Sequence, residues 1–120
     1  MLDDMFKKQE ALMRRYAERD VNFPAWPIDF TNKKHQKFVH DVLVNAASEA
    51  FEATRELKNH KSHRQTEILE FDKKHFIEEC VDVTKYIIEA LLMVGVSADE
   101  FIDAYNDKDK KCHKRITDGY

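Results

Sequence analysis

Glycine and proline are scarce in this chain of 120 residues, which contains only two of each. Both residues interrupt regular secondary structure, so their scarcity and the 36% of charged residues favour long helices. Valine and isoleucine do not alternate with polar residues over any useful length, and we therefore predict no sheet. The sequence predicts an all-α protein, and its length suits a single domain over residues 1–120.

Cysteine, long apolar runs and net positive charge are also in short supply. Cys80 and Cys112 are isolated and form no CxxC pair, which argues against a disulfide framework or zinc knuckle and fits a reducing cytosol. The first residues contain no apolar signal region, and no run is apolar enough to cross a bilayer. A formal net charge of -3 argues against a general nucleic-acid binder. We therefore expect a soluble cytoplasmic protein that binds neither membranes nor nucleic acid.

Apolar residues at steps of three and four predict about four helices. Thr31 or Asn32 would cap the second helix, and Gly95 would end the third. Ser97 and Glu100 have the spacing of a capping box at the start of the fourth. The approximate predicted ranges are 2–19, 32–58, 68–94 and 98–112.

Acidic residues occupy helix faces that should be buried. Glu79 falls on the apolar stripe of the third helix, with Asp82 beside it, and Glu49 and Glu52 continue the apolar stripe of the second helix. A carboxylate on a packing face is costly unless something pairs with it. A short connection joins the two helices, so they should pack antiparallel and bring the four carboxylates together.

Four adjacent carboxylates would repel one another and stay partly protonated unless a cation binds them. Mg²⁺ prefers oxygen ligands and keeps waters for substrate phosphates, and Mn²⁺ can substitute for it. A di-iron centre would need Glu-x-x-His motifs, and no histidine stands at that offset from Glu49 or Glu79. The basic run over residues 108–115 suits a polyphosphate substrate. The residues thus favour magnesium or manganese and phosphate chemistry.

These motifs resemble those of the all-α nucleoside triphosphate pyrophosphatases, the superfamily of MazG and the dimeric dUTPases. Within it the chain looks most like the phage dUTPase and dCTPase branch. That family has E-x-x-E on one helix and E-x-x-D on the next, here Glu49-x-x-Glu52 and Glu79-x-x-Asp82. Gln9 resembles a family glutamine near the N-terminus. The family's tail pattern is matched at Tyr105, Lys108, Arg115, Gly119 and Tyr120.

The resemblance implies a MazG-like helical bundle that is completed by assembly into a homodimer or homotetramer. It implies a Mg²⁺-dependent pyrophosphohydrolase that converts a (deoxy)nucleoside triphosphate to the monophosphate and pyrophosphate. Glu49, Glu52, Glu79 and Asp82 would hold the metal, and Glu52 would orient or deprotonate the attacking water. The implied substrate-binding residues are Gln9, Lys61, Lys108, Arg115 and Tyr120, with Lys58 as the alternative to Lys61.

Departures from the family pattern concern the surroundings of the base and sugar. Asp109 and Cys112 stand where the family has asparagines, and Lys85 stands where a histidine is usual. The residues 20–32, rich in proline and aromatics, predict a strap over the helices or, alternatively, a wall for a flat ligand. We expect dUTP or dCTP as substrate, with a purine such as dGTP as the alternative, in the host cytoplasm if the protein is phage-encoded.

A second interpretation belongs to a different class of protein. The acidic stripe could pair with the basic tail of a neighbouring subunit, which would make the chain a non-enzymatic helical adaptor. Salt bridges alone would, however, place acidic residues on the outer faces of helices rather than on the faces expected to be buried.

Overall fold

The chain is all-helical, as the sequence predicts. A computed structural model describes residues 1–58, 60–68 and 70–119, and in these ranges it contains four helices and no strand. The helices are α1 (Leu2–Arg19), α2 (Lys33–Thr54), α3 (Lys73–Met93) and α4 (Ala98–Thr117). No helix in the described ranges combines the length and the apolar character that crossing a membrane requires.

Two of the predicted helix starts are capped as expected. The Asn32 side chain accepts hydrogen bonds from the backbone N–H groups that follow it and caps α2. At α4, the Ser97 side chain accepts from the backbone N–H of Glu100, whose carboxylate accepts from the N–H of Ser97. Both arrangements satisfy N–H groups that a helix leaves without partners in its first turn.

Three other helix ends differ from the expected positions. α2 ends at Thr54, earlier than expected, where its hydroxyl donates to a carbonyl one turn back and the next backbone bonds tighten to i→i−3. α3 begins later than expected, directly after Asp72, whose side chain accepts from the backbone N–H of His75. α4 continues to Thr117 because its last turns carry lysine and arginine, which suit a helix C-terminus.

The described residues form two compact units. The first contains Met1–Ile28 and the chain from Leu91 onward, and the second contains Asp29–Ala90. In the first unit α1 packs against α4, and the rings of Phe6 and Phe101 are 6.4 Å apart.

The proline-rich segment of the first unit packs as a strap. Trp26 Nε1 donates to Glu10 Oε2 of α1 at 3.1 Å, and the backbone N–H of Ile28 donates to the Met93 carbonyl at 2.8 Å. Gly95 ends α3 with a φ of +83°, and a Cβ at this position would lie 3.2 Å from the Cβ of Pro27. These contacts support the strap interpretation of residues 20–32.

In the second unit, α2 and α3 run antiparallel. Glu56, just beyond the end of α2, contacts His75 at the start of α3. Glu49, two turns earlier, lies beside Glu79 and Asp82 further along α3. The contacting residue number falls along α2 as it rises along α3, so the two helices are antiparallel as predicted, although residues 55–72 make their connection longer than expected.

Candidate metal and catalytic site

Three acidic side chains converge between α2 and α3. One carboxylate oxygen each from Glu49, Glu79 and Asp82 lies within 4.8 Å of the other two. Glu79 and Asp82 are one turn apart on α3, so their i, i+3 spacing directs both toward the same side of the helix. We call Glu49, Glu79 and Asp82 the acidic cluster.

The acidic cluster is buried at one side and exposed at the other. Glu79 is only 9% exposed, Glu49 is half-buried and Asp82 is exposed. Oε2 of Glu79 is buried and has no hydrogen-bond partner among the residues that the structure describes. A buried carboxylate oxygen without a partner is costly, and each such case in a protein calls for an explanation. The exposed side at Asp82 leaves the cluster open to a ligand from solvent.

The local electrostatics disfavour a fully ionised cluster. Burial is the main cause that raises the pKa of Glu49, to about 7. Contacts of its carboxyl group with Glu79 and Glu52 add to this rise, as do the charges of Glu52 and Asp82. A proton or a cation between such carboxylate oxygens would relieve their repulsion.

Glu52 lies beside the acidic cluster without belonging to it. Its half-buried carboxyl group contacts that of Glu49 on the same helix, one turn away. The four residues that the sequence singles out as metal ligands are therefore brought together in the second unit.

Sequence reasoning missed a histidine in this site. Nε2 of His75 lies 3.1 Å from Oε1 of Glu79, and Nδ1 lies 2.6 Å from Oε1 of Glu56. The hydrogen bond with Glu56 is the main cause that raises the pKa of His75, and the charges of Glu56, Glu79 and Asp72 add to the rise. Glu79 therefore has an ion-pair partner at Oε1, while its Oε2 has no hydrogen-bond partner in the described part of the chain.

A second group of possible ligand atoms belongs to Glu56, Asp72 and His75, again within 4.8 Å of one another. The ion pair between His75 and Glu56 and the capping bond from the His75 backbone to Asp72 account for this group without a metal. Part of the signal was present in the sequence, because His75 and Glu79 have the i, i+4 spacing of helix neighbours. The position of Glu56 depends on the register of α2 against α3, which the polar connection does not reveal.

Two other predicted site residues belong to the second unit. Lys61 is exposed in a turn, where its backbone carbonyl accepts from the N–H of Arg64. Lys58 is exposed and lines a pocket of about 200 Å³ with apolar neighbours that include Ile68 and Phe71. Neither lysine forms an ion pair with an acidic residue in the described part of the chain.

The remaining predicted site residues belong to the first unit or lie outside the described residues. Gln9 of α1 is 3% exposed, and its Oε1 is buried without a hydrogen-bond partner among the described residues. Lys108 and Arg115 are exposed on α4. Tyr120 lies outside the described residues.

Comparison of this chain with protein-family models, curated proteins and solved structures gave no match. The family resemblance of the motifs therefore stays a prediction. The structural observation that bears on function is the acidic cluster. A donor set made only of carboxylates provides the hard oxygen ligands that Mg²⁺ and Mn²⁺ prefer. The unpartnered Oε2 of Glu79 provides an oxygen that a cation would satisfy, so the residues present fit a hard divalent cation.

Proposed function

We propose that this protein is a Mg²⁺-dependent pyrophosphohydrolase of (deoxy)nucleoside triphosphates. The observation that carries the proposal is the acidic cluster with its buried, unpartnered Glu79 Oε2. A divalent cation held by Glu49, Glu52, Glu79 and Asp82 would remove both the repulsion and the unsatisfied oxygen. When bound, the cation would neutralise triphosphate charge and lower the pKa of a water molecule.

The reaction that we propose is attack of water on the α phosphorus. A bond forms between the water oxygen and this phosphorus, and the bond to the bridging oxygen of the β phosphate breaks. Pyrophosphate leaves, and the nucleoside monophosphate remains. By the family resemblance, Glu52, whose half-buried carboxyl group contacts that of Glu49, orients the attacking water or accepts its proton.

The substrate contacts follow from the family resemblance. By that resemblance, Lys108 and Arg115, with Lys61 or Lys58, would bind phosphate oxygens of the substrate. Gln9 would bind the base through its buried amide, and Tyr120 would close over the ligand. We propose a deoxypyrimidine triphosphate, dUTP or dCTP, as the substrate, with a purine such as dGTP as the alternative.

We also propose that the protein works as a homodimer or homotetramer. Several large apolar side chains of α2 and α3 are between 46% and 69% exposed: Leu43, Val44, Phe51, Ile77 and Val81. Exposed apolar surface on neighbouring helices favours burial against a second copy. Sedimentation at micromolar concentration should give a dimer or tetramer, and a purely monomeric species would contradict this part of the proposal.

A nucleotide panel tests the proposed activity. The protein is incubated with each dNTP and Mg²⁺, and pyrophosphate and monophosphate are quantified with and without a chelator. We expect Mg²⁺-dependent release of equal amounts of the two products, with the pyrimidine substrates fastest. Glu79→Gln should abolish release, whereas Glu78→Gln, its exposed neighbour on α3, should not. Absence of release from every nucleotide would reject the enzyme and leave the adaptor interpretation.

A further inference from the structure

His75 joins two acidic residues that are contributed by different parts of the second unit. Its Nδ1 lies 2.6 Å from Glu56 Oε1, and its Nε2 lies 3.1 Å from Glu79 Oε1. The backbone N–H of the same residue donates to Asp72 Oδ1 at 3.0 Å, which fixes the first turn of α3. Both the ring and the backbone of His75 are therefore held in place.

The two carboxylate oxygens of Glu79 have different surroundings, because only one of them contacts His75. Oε1 forms an ion pair with the imidazole ring, and Oε2 is buried without a hydrogen-bond partner among the described residues. A carboxylate held at one oxygen cannot rotate freely, so its second oxygen is presented in a fixed direction. Partners of this kind behind a metal ligand set both its orientation and its affinity.

We propose that His75 is a positioning residue that presents Glu79 to the cation as a ligand through one oxygen. Glu56 anchors the ring from the other side, so the chain of contacts runs from Glu56 through His75 to Glu79. This inference rests on the proposed metal-dependent function and adds two residues to it. Neither His75 nor Glu56 touches the substrate or the cation in this arrangement.

Whether removal of His75 raises or lowers the affinity for a cation distinguishes a positioning role from a purely electrostatic one. An imidazole that donates from both nitrogens carries a positive charge, and a positive charge near a cation site weakens cation binding. Removal of His75 would then tighten binding if charge were its only role. Loss of a positioning partner instead weakens binding, typically by about 10–100-fold.

Mn²⁺ titration of the full chain, followed by the electron paramagnetic resonance signal of free Mn²⁺, measures this affinity without nucleotide. We expect His75→Phe to weaken Mn²⁺ binding by about 10–100-fold and His75→Gln, which keeps an amide donor, to restore part of the loss. Glu56→Gln should weaken binding by a smaller factor. His40→Phe is the matched control, because His40 is exposed on α2 and its ring pairs with the neighbouring Asp41, away from the acidic cluster's residues in sequence.

Wild-type or tighter Mn²⁺ binding by His75→Phe would overturn the inference and leave the proposed function standing. If His75→Phe does not fold, as judged by circular dichroism, unchanged affinity in both His75→Gln and Glu56→Gln would overturn it equally. If the wild-type protein itself binds no Mn²⁺, the proposed function fails at the first titration, and the positioning role fails with it.

Discussion

Glu49 of α2 and Glu79 of α3 face each other across an antiparallel helix pair, with carboxylate oxygens within 4.8 Å. Two carboxylates this close repel each other, and a proton or a bound cation would relieve the repulsion. The raised pKa of Glu49, about 7, has burial as its main cause and the neighbouring acidic groups as the next. A proton and a divalent cation should therefore compete for this site.

The metal-free protein should become less stable as the pH rises from 4.5 to 7. Glu49 has a pKa near 4.5 when unfolded and about 7 when folded, so the folded state binds more protons over this range. Stability falls with pH wherever the folded state is the more protonated one. The pKa values of His75 and Glu89 are also raised, and both groups act in the same direction. The groups with lowered pKa values lose their contribution only at more acidic pH: Glu10, Asp29 and Asp41.

Urea denaturation in the presence of a chelator measures this dependence. Glu49→Gln should flatten the fall between pH 4.5 and 7, and added Mg²⁺ should restore stability to the wild-type protein at pH 7.5 but not to Glu49→Gln. A free energy of unfolding that rises with pH over this range, or that does not change on addition of Mg²⁺ at pH 7.5, would contradict a site shared by a proton and a cation.

Glu52→Gln should remove catalysis without removing the fold. Loss of a general base lowers kcat by about 10²–10⁴-fold, while the amide preserves the size of the side chain. Steady-state pyrophosphate release gives kcat, and circular dichroism checks that the total helix content is unchanged. Glu78→Gln, exposed on α3, serves as the control. A Glu52→Gln protein with full activity would show that another group handles the attacking water.

Gly95→Ala should destabilise the protein by about 1–3 kcal/mol. Gly95 has a φ of +83°, and an added Cβ would lie only 3.2 Å from the Cβ of Pro27. Gly119→Ala shares the positive φ, +76°, but has no atom within 4 Å of the added Cβ, so it should cost less. Urea denaturation compares the two variants. Equal losses would show that the contact between Gly95 and Pro27 contributes nothing.

Ser97→Ala should cost about 1 kcal/mol of unfolding free energy. The Ser97 side chain accepts from the backbone N–H of Glu100, and alanine would leave that N–H without its partner. Ser48→Ala, at an exposed interior position of α2, should be neutral or slightly stabilising because alanine is the better helix former. A thermal melt that ranks the two variants in the opposite order would reject the role of the cap.

The helices and the acidic motifs could be predicted from the sequence, because both depend on the spacing of residues close together in the chain. The caps at Asn32 and Ser97 were readable for this reason. The contacts of His75 with Glu56 and Glu79 could not be predicted in full, because the contact with Glu56 depends on the register of α2 against α3. Buried Glu89 was also missed, although it lies within an apolar run, three residues after Tyr86 and four before Met93.

The proposed cation site is tested most directly by locating a bound cation in a crystal structure. Crystals are grown with Mn²⁺ and an α,β-imido analogue of dUTP, and anomalous density locates the manganese. The proposed function predicts Mn²⁺ about 2.1 Å from carboxylate oxygens of Glu49, Glu52, Glu79 and Asp82. Manganese bound only at Glu56, Asp72 and His75, or no manganese at either group, would contradict it.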